Sequence, residues 1–151
     1  MYLTHSFMSD ENKQNSYQPL ILAVEDDDDS LLVISYALES MGYRFICQTD
    51  SSATVLVAKE HQPDLILLDI LLPGLSGMDV VRHLKLEPLT CAIPVVAVTA
   101  LASTEDRERI LKAGFNDYIS KPYMIEELEA IIRHELARKF TPYPALKLCQ
   151  D

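Results

Sequence analysis

Three acidic residues, a threonine and a lysine carry the chemistry that this sequence can do. Leu20-Ile21-Leu22-Ala23-Val24 is an apolar run that ends in Glu25-Asp26, and Leu65-Ile66-Leu67-Leu68 is another that ends in Asp69. Such runs read as strands buried on both faces, and a carboxylate placed at their ends is costly unless its charge is offset. A further run, Pro94 to Ala100, brings Thr99 to its end, and Lys121 follows the short stretch Asp117 to Ser120. Carboxylates gathered in one place repel one another, and a divalent cation is the natural offset. Oxygen ligands with no His or Cys beside them select a hard ion such as Mg²⁺, which keeps bound water and leaves room for a phosphoryl group. Lys121 would add a point positive charge and Thr99 a hydroxyl, the complement of phosphoryl oxygens in transfer. Asp69 is then a candidate nucleophile that forms an acyl phosphate.

Taken one at a time, these residues have ordinary readings. Asp69 could be a solvated strand-end residue beside the turn Pro73-Gly74, Thr99 a strand-end hydroxyl and Lys121 a surface lysine. Asp27, Asp28 and Asp29 read as solvated loop or helix-cap residues. Their joint placement at the ends of successive apolar runs is what favours a site.

The elements between these runs must bring the ends together. Residues 1–18 are polar and aperiodic and read as a mostly disordered leader. After the first strand, Ser30 to Met41 has apolar residues at Leu31, Ile34, Leu38 and Met41, the spacing of an amphipathic helix, with Gly42 as its stop and Asp28 or Asp29 as its cap. Arg44 to Gln48 is a weaker strand and Ser51 to His61 a second helix. Asp64 leads into the central strand, and a third helix runs from about Met78 to Leu86. Ser103 to Ala113 is a fourth helix opened by the capping pattern Ser103-x-x-Asp106, and Ile125 to about Arg138 is a fifth. Residues 139–151 form a short tail. Strands alternating with helices imply a doubly wound α/β domain with a parallel sheet, whose site lies at the carboxyl ends of the strands.

Composition limits the function classes. The 151 residues fit one domain, and a net charge of -10 repels nucleic-acid phosphates, so direct nucleic-acid binding is not expected. No apolar stretch approaches the ~20 residues of a bilayer span and the N-terminus lacks a signal pattern, which points to a soluble, cytoplasmic protein. Cys47, Cys91 and Cys149 have no metal-binding spacing; Cys47 and Cys91 read as small buried residues, and no disulfide framework is expected.

The chain resembles the receiver domains of two-component response regulators. The resemblance rests on Glu25-Asp26, on Leu67-Leu68-Asp69 with Pro73-Gly74 and Gly77 downstream, on Val98-Thr99-Ala100, and on Ala113-Gly114-Phe115-Asn116-Asp117-Tyr118-Ile119-Ser120-Lys121-Pro122. It covers about residues 19–138 and implies a flavodoxin-like five-stranded parallel sheet of order 2-1-3-4-5 with five helices. It implies that Asp69 accepts a phosphoryl group from a sensor histidine kinase or phosphotransfer protein. Mg²⁺ would be held by Asp26, Asp69 and the backbone carbonyl of Leu71, with Glu25 acting mainly through a bound water. Lys121 would pair with the phosphoryl group, and Thr99 and Tyr118 would be the switch residues. A cis peptide is implied between Lys121 and Pro122. Output would pass to a protein target through the face made by the fourth helix, fifth strand and fifth helix, with a homodimer left open. Such a protein assists its own phosphorylation and dephosphorylation without being a conventional enzyme.

Two features depart from the usual pattern. Glu25 stands where many members have Asp, and the chain ends after a short tail rather than continuing into an output domain, so a single-domain regulator acting by protein contact is expected. A receiver-like scaffold that is not phosphorylated is the main alternative. A haloacid dehalogenase-type phosphatase would need an Asp where Leu71 stands. A dinucleotide or flavin enzyme would need a glycine-rich loop where this chain has Asp26 to Asp29.

Overall fold

The computed structural model describes residues 2–5, 17–101 and 103–140 of the chain. In chain order the elements are β1 (Tyr2–His5), β2 (Leu20–Val24), α1 (Asp28–Ser40), β3 (Arg44–Gln48), α2 (Thr54–His61), β4 (Leu65–Asp69), α3 (Gly77–Leu86), β5 (Val95–Thr99), α4 (Thr104–Ala113), β6 (Asp117–Ser120) and α5 (Ile125–Lys139). A 3₁₀ turn at Ser51–Ala53 leads into α2.

The sheet order is β1-β3-β2-β4-β5-β6. Strands β2 to β6 are mutually parallel and, counted alone, stand in the expected order of second, first, third, fourth and fifth. Strand β1 is a correction to the sequence reading, which placed residues 2–5 in a disordered leader. It pairs antiparallel with β3, Tyr2 opposite Gln48 and His5 opposite Phe45. Without it, β3 would present an unpaired row of N–H and C=O groups, which the short preceding segment satisfies. The leader and tail segments 6–16 and 141–151 lie outside the described residues.

Every residue of β2, β4 and β5 is buried, as their continuous apolar character requires for strands with helices on both faces. Their alternating side chains feed two cores. Leu22, Ile66, Leu68, Val95 and Ala97 pack with Val80, Val81, Leu84 and Ile110 on one face. Ile21, Ala23, Leu65, Leu67 and Val96 pack with Ile34, Leu38, Leu128 and Ile132 on the other.

The helix starts follow cap chemistry. Asp27, rather than Asp28 or Asp29, caps α1, accepting from Ser30 N at 2.9 Å, while Asp28 and Asp29 occupy its first turn, where negative charge is favourable. Ser76 caps α3, and Ser103 and Asp106 form the expected capping box on α4. At the base of the sheet, Asn116 Oδ1 accepts from Val95 N at 2.8 Å and from Lys85 Nζ at 3.2 Å, fixing the start of β5. Cys47 is free and buried as expected, but Cys91 is disulfide-bonded. Sequence spacing speaks only to close pairs, so it could not reveal this bond.

Candidate functional site

The carboxyl ends of β2, β4 and β5 and the residue after β6 meet on one edge of the sheet. Parallel register aligns them: Val24 stands beside Leu68, Asp69 beside Val98 and Thr99 beside Ser120. The next residues along β2 and β6 are therefore Glu25 and Lys121. The Lys121 ammonium donates to Glu25 Oε2 at 2.8 Å and to Asp69 Oδ2 at 3.2 Å. The peptide between Lys121 and Pro122 is cis, as the resemblance implied.

Backbone groups hold the carboxylates in place. Leu71 N donates to Asp69 Oδ1 at 2.9 Å, and Asp27 N reaches Glu25 Oε1 at 3.5 Å. Lys121 N donates to the Thr99 carbonyl at 2.8 Å, so the lysine is tied to β5 through its backbone as well as to β2 and β4 through its side chain. The buried Thr99 hydroxyl accepts from Leu101 N at 3.1 Å, within its own loop. Leu71, whose carbonyl was expected among the metal ligands, lies in the loop after β4, beyond Ile70, and is 55% exposed.

Electrostatics at this point are unbalanced. Carboxylate oxygens of Glu25, Asp26 and Asp69 all lie within 4.8 Å of one another, with Asp26 exposed and the other two buried. Burial pushes the Glu25 carboxyl up to about 7, and the Asp69 carboxylate beside it adds to the shift while Lys121 opposes it. Burial also works against the charge on Lys121, but the hydrogen bond to Glu25 and the charge of Asp69 win, and its pKa is raised. One ammonium thus pairs with two of three clustered carboxyl groups. The surplus of hard oxygen donors, partly buried and short of positive charge, fits a divalent ion of the Mg²⁺ type.

Gly77 is a site residue whose role the sequence did not reveal. A Cβ there would come 2.5 Å from the Asp69 carbonyl oxygen and 2.6 Å from Ile70 Cα, both backbone atoms. The first turn of α3 therefore lies directly against the end of β4, and Gly77 N bonds to the Ile70 carbonyl at 3.0 Å. A glycine at the first position of a helix, just after a serine cap, is the signal that could have shown it. Tyr118 lies one strand over, opposite Ala97, half-buried against the core, with the Arg107 guanidinium 5.4 Å from its ring centroid.

Comparison with known proteins agrees with this geometry. Residues 21–133 match the family model of the response regulator receiver domain. The phosphate regulon transcriptional regulatory protein PhoB of Escherichia coli (strain K12) is 42% identical over 118 residues, covering 78% of this chain and 52% of PhoB. The chain thus spans about half the length of this curated relative. The polar-differentiation response regulator DivK of Brucella anthropi is 38% identical over 77% of this chain and 94% of its own. Among solved structures, the receiver domain of the sensor histidine kinase PA1611 from Pseudomonas aeruginosa superposes with a TM-score of 0.75 at 36% identity. It covers 80% of this chain and 99% of that one, and holds a magnesium ion coordinated in its active-site cleft.

Proposed function

The chain belongs to the response regulator receiver domain family, and from that premise we propose that it accepts a phosphoryl group on Asp69 from a phosphohistidine of a sensor histidine kinase or phosphotransfer protein. The observation that supports this reading best is the Lys121 ammonium, hydrogen-bonded to both Glu25 and Asp69 beside the exposed Asp26. An Asp69 oxygen would form the new bond to phosphorus as the donor's P–N bond breaks, its electron pair leaving on the imidazole nitrogen. Lys121 would offset charge on the phosphoryl oxygens, and the Thr99 hydroxyl would donate to one of them after leaving Leu101 N. The Leu71 N–H already holds Asp69 Oδ1, which leaves Oδ2 as the oxygen facing Lys121.

Asp26 and Asp69, with Glu25 acting through a water and the Leu71 carbonyl, are the groups that would hold Mg²⁺. The ion would supply charge neutralisation between the carboxylates and the incoming phosphoryl oxygens. Phosphorylation adds charge at Asp69 that draws Thr99 inward, and Tyr118 moves into the space it leaves. The surface of α4, β6 and α5 then changes its preference for a protein target, whether another protein or a second copy of this chain. Among the described residues no helix is long and apolar enough to cross a membrane.

Incubation with Mg²⁺ and acetyl phosphate followed by intact mass tests the reading. The expected result is a gain of one phosphoryl group that needs Mg²⁺ and is absent in Asp69→Asn. No adduct with any small phosphodonor would instead favour a scaffold that is not phosphorylated.

A further inference from the structure

Helix α4 carries three cations that differ in what they touch. Arg109 is bonded to Asp106 Oδ1 at 2.9 Å, and Asp106 also closes the capping box through Ser103 N. Arg107, by contrast, has no carboxylate partner among the described residues, although acidic residues flank it on its own helix. Its guanidinium lies over the Tyr118 ring, 5.4 Å from the centroid, inside the ~6 Å range of cation–π attraction. Arg107 is one helical step from the buried Ile110, and that spacing turns it toward the sheet edge where β6 runs.

The ring that Arg107 covers is well placed to matter. Tyr118 pairs in register with Ala97 and Ser120 with Thr99, so Tyr118 and Thr99 project from the same face of the sheet on neighbouring strands. Ala97 stands directly beside Tyr118 with a small side chain, and Thr99 lies diagonally from Tyr118 on that same face. The Arg107 contact ties the ring to α4, so a ring movement that carries it away from the guanidinium gives up that attraction.

We propose that Arg107 is a positioning residue that latches the Tyr118 ring to α4 and so sets how readily Thr99 and Tyr118 change place when Asp69 is modified. This rests on the phosphoacceptor reading above. The latch holds the arrangement in which the Thr99 hydroxyl is bonded to Leu101 N, and it opposes the switched one. A cation–π contact at an exposed site shifts a two-state equilibrium by about two- to fivefold.

The test uses the full chain and beryllium fluoride with Mg²⁺, a non-covalent stand-in for the phosphoryl group, titrated while the Tyr118 ring resonance is followed in tyrosine-labelled protein. Arg107→Ala is expected to bind beryllium fluoride about two- to fivefold more tightly than wild type. It should also shift the Tyr118 resonance before any ligand is added. Arg107→Lys, which keeps a cation, should fall close to wild type, and Arg107→Ala should add nothing in a Tyr118→Leu background. Equal affinity in wild type and Arg107→Ala, or the same gain in the Tyr118→Leu background, overturns the latch alone. Failure of wild type to bind beryllium fluoride at all overturns the phosphoacceptor reading, and the latch with it.

Discussion

Lys121 lies closer to Glu25 than to Asp69: its ammonium is 2.8 Å from Glu25 Oε2 and 3.2 Å from Asp69 Oδ2. The lysine is thus anchored on one carboxylate while facing the other, and it is the cation that keeps both buried acids tolerable. Removing it takes from Glu25 and Asp69 the one cation that the described residues pair with both, in a largely buried place. Lys121→Ala should fold but lose about 1–3 kcal/mol at pH 7, read by urea unfolding, and added Mg²⁺ should recover part of the loss. Phosphoryl uptake from acetyl phosphate should fall in parallel. Unchanged stability would mean that Lys121 does not offset these charges.

Gly77 should prove intolerant for a steric reason. The Cβ of Gly77→Ala would press on the Asp69 carbonyl and Ile70 Cα, which are backbone atoms and cannot turn aside as a side chain could. The first turn of α3 must then back away from β4, at a cost of roughly 1–3 kcal/mol and with displacement of Asp69. Gly42→Ala is the control. Gly42 has φ 82 and open space around it, so that change strains the α1 stop by about 1 kcal/mol and leaves the site untouched. Thermal unfolding and phosphoryl uptake of the two variants separate these outcomes.

These two glycines also show what the sequence could and could not reveal. Gly42 was legible because helix stops have a local grammar, as were the capping box at Ser103 and the apolar runs that deliver Glu25, Asp69 and Thr99 to one edge. The close approach at Gly77, the pairing of Tyr2–His5 with β3, and the Arg107 contact with Tyr118 join residues with no periodic relation in the chain. Asp64 was read only as the lead into β4, yet it is buried at the opposite end of the sheet from the site. Hydrophobic patterning identifies which face of an element is covered, but not which polar group on a distant element it meets.

Asp64 gives the chain an acid-sensitive clasp. Its Oδ2 accepts from Tyr17 Oη and from Leu20 N, both at 2.8 Å, and its Oδ1 from Lys139 Nζ at 3.1 Å, so it ties the entry to β2 to the end of α5. Burial alone would raise its pKa, but the hydrogen bonds from Leu20, Tyr17 and Lys139 prevail and lower it. A depressed folded-state pKa means stability that is present above the ordinary Asp value, about 4, and lost as pH falls through the folded value. Asp64→Asn should therefore be less stable than wild type by about 1–3 kcal/mol at pH 7. The gap should narrow below about pH 4, and a gap that does not change with pH would show that the carboxylate charge is not what matters.

Glu135 should behave in the opposite sense. It lies on the buried stripe of α5 with Leu128, Ile132 and Leu136 and is only 2% exposed, while its partner Arg138 is half exposed and 3.4 Å away. Burial raises its pKa, the Asp117 charge adds to the shift, and Arg138 and His134 only partly oppose it. For an acid with a raised folded-state pKa the cost is absent below the ordinary Glu value of about 4.3, grows as pH rises toward the folded value, and is constant above it. Glu135→Gln removes the buried charge while keeping the shape of the side chain. The variant should match wild type near pH 4 and exceed it by about 1 kcal/mol at pH 7, seen as a higher unfolding midpoint in urea. Lower stability of the variant at pH 7 would mean that the Arg138 pair outweighs the cost of burial, since an unfavourable buried charge cannot destabilise the fold by being removed.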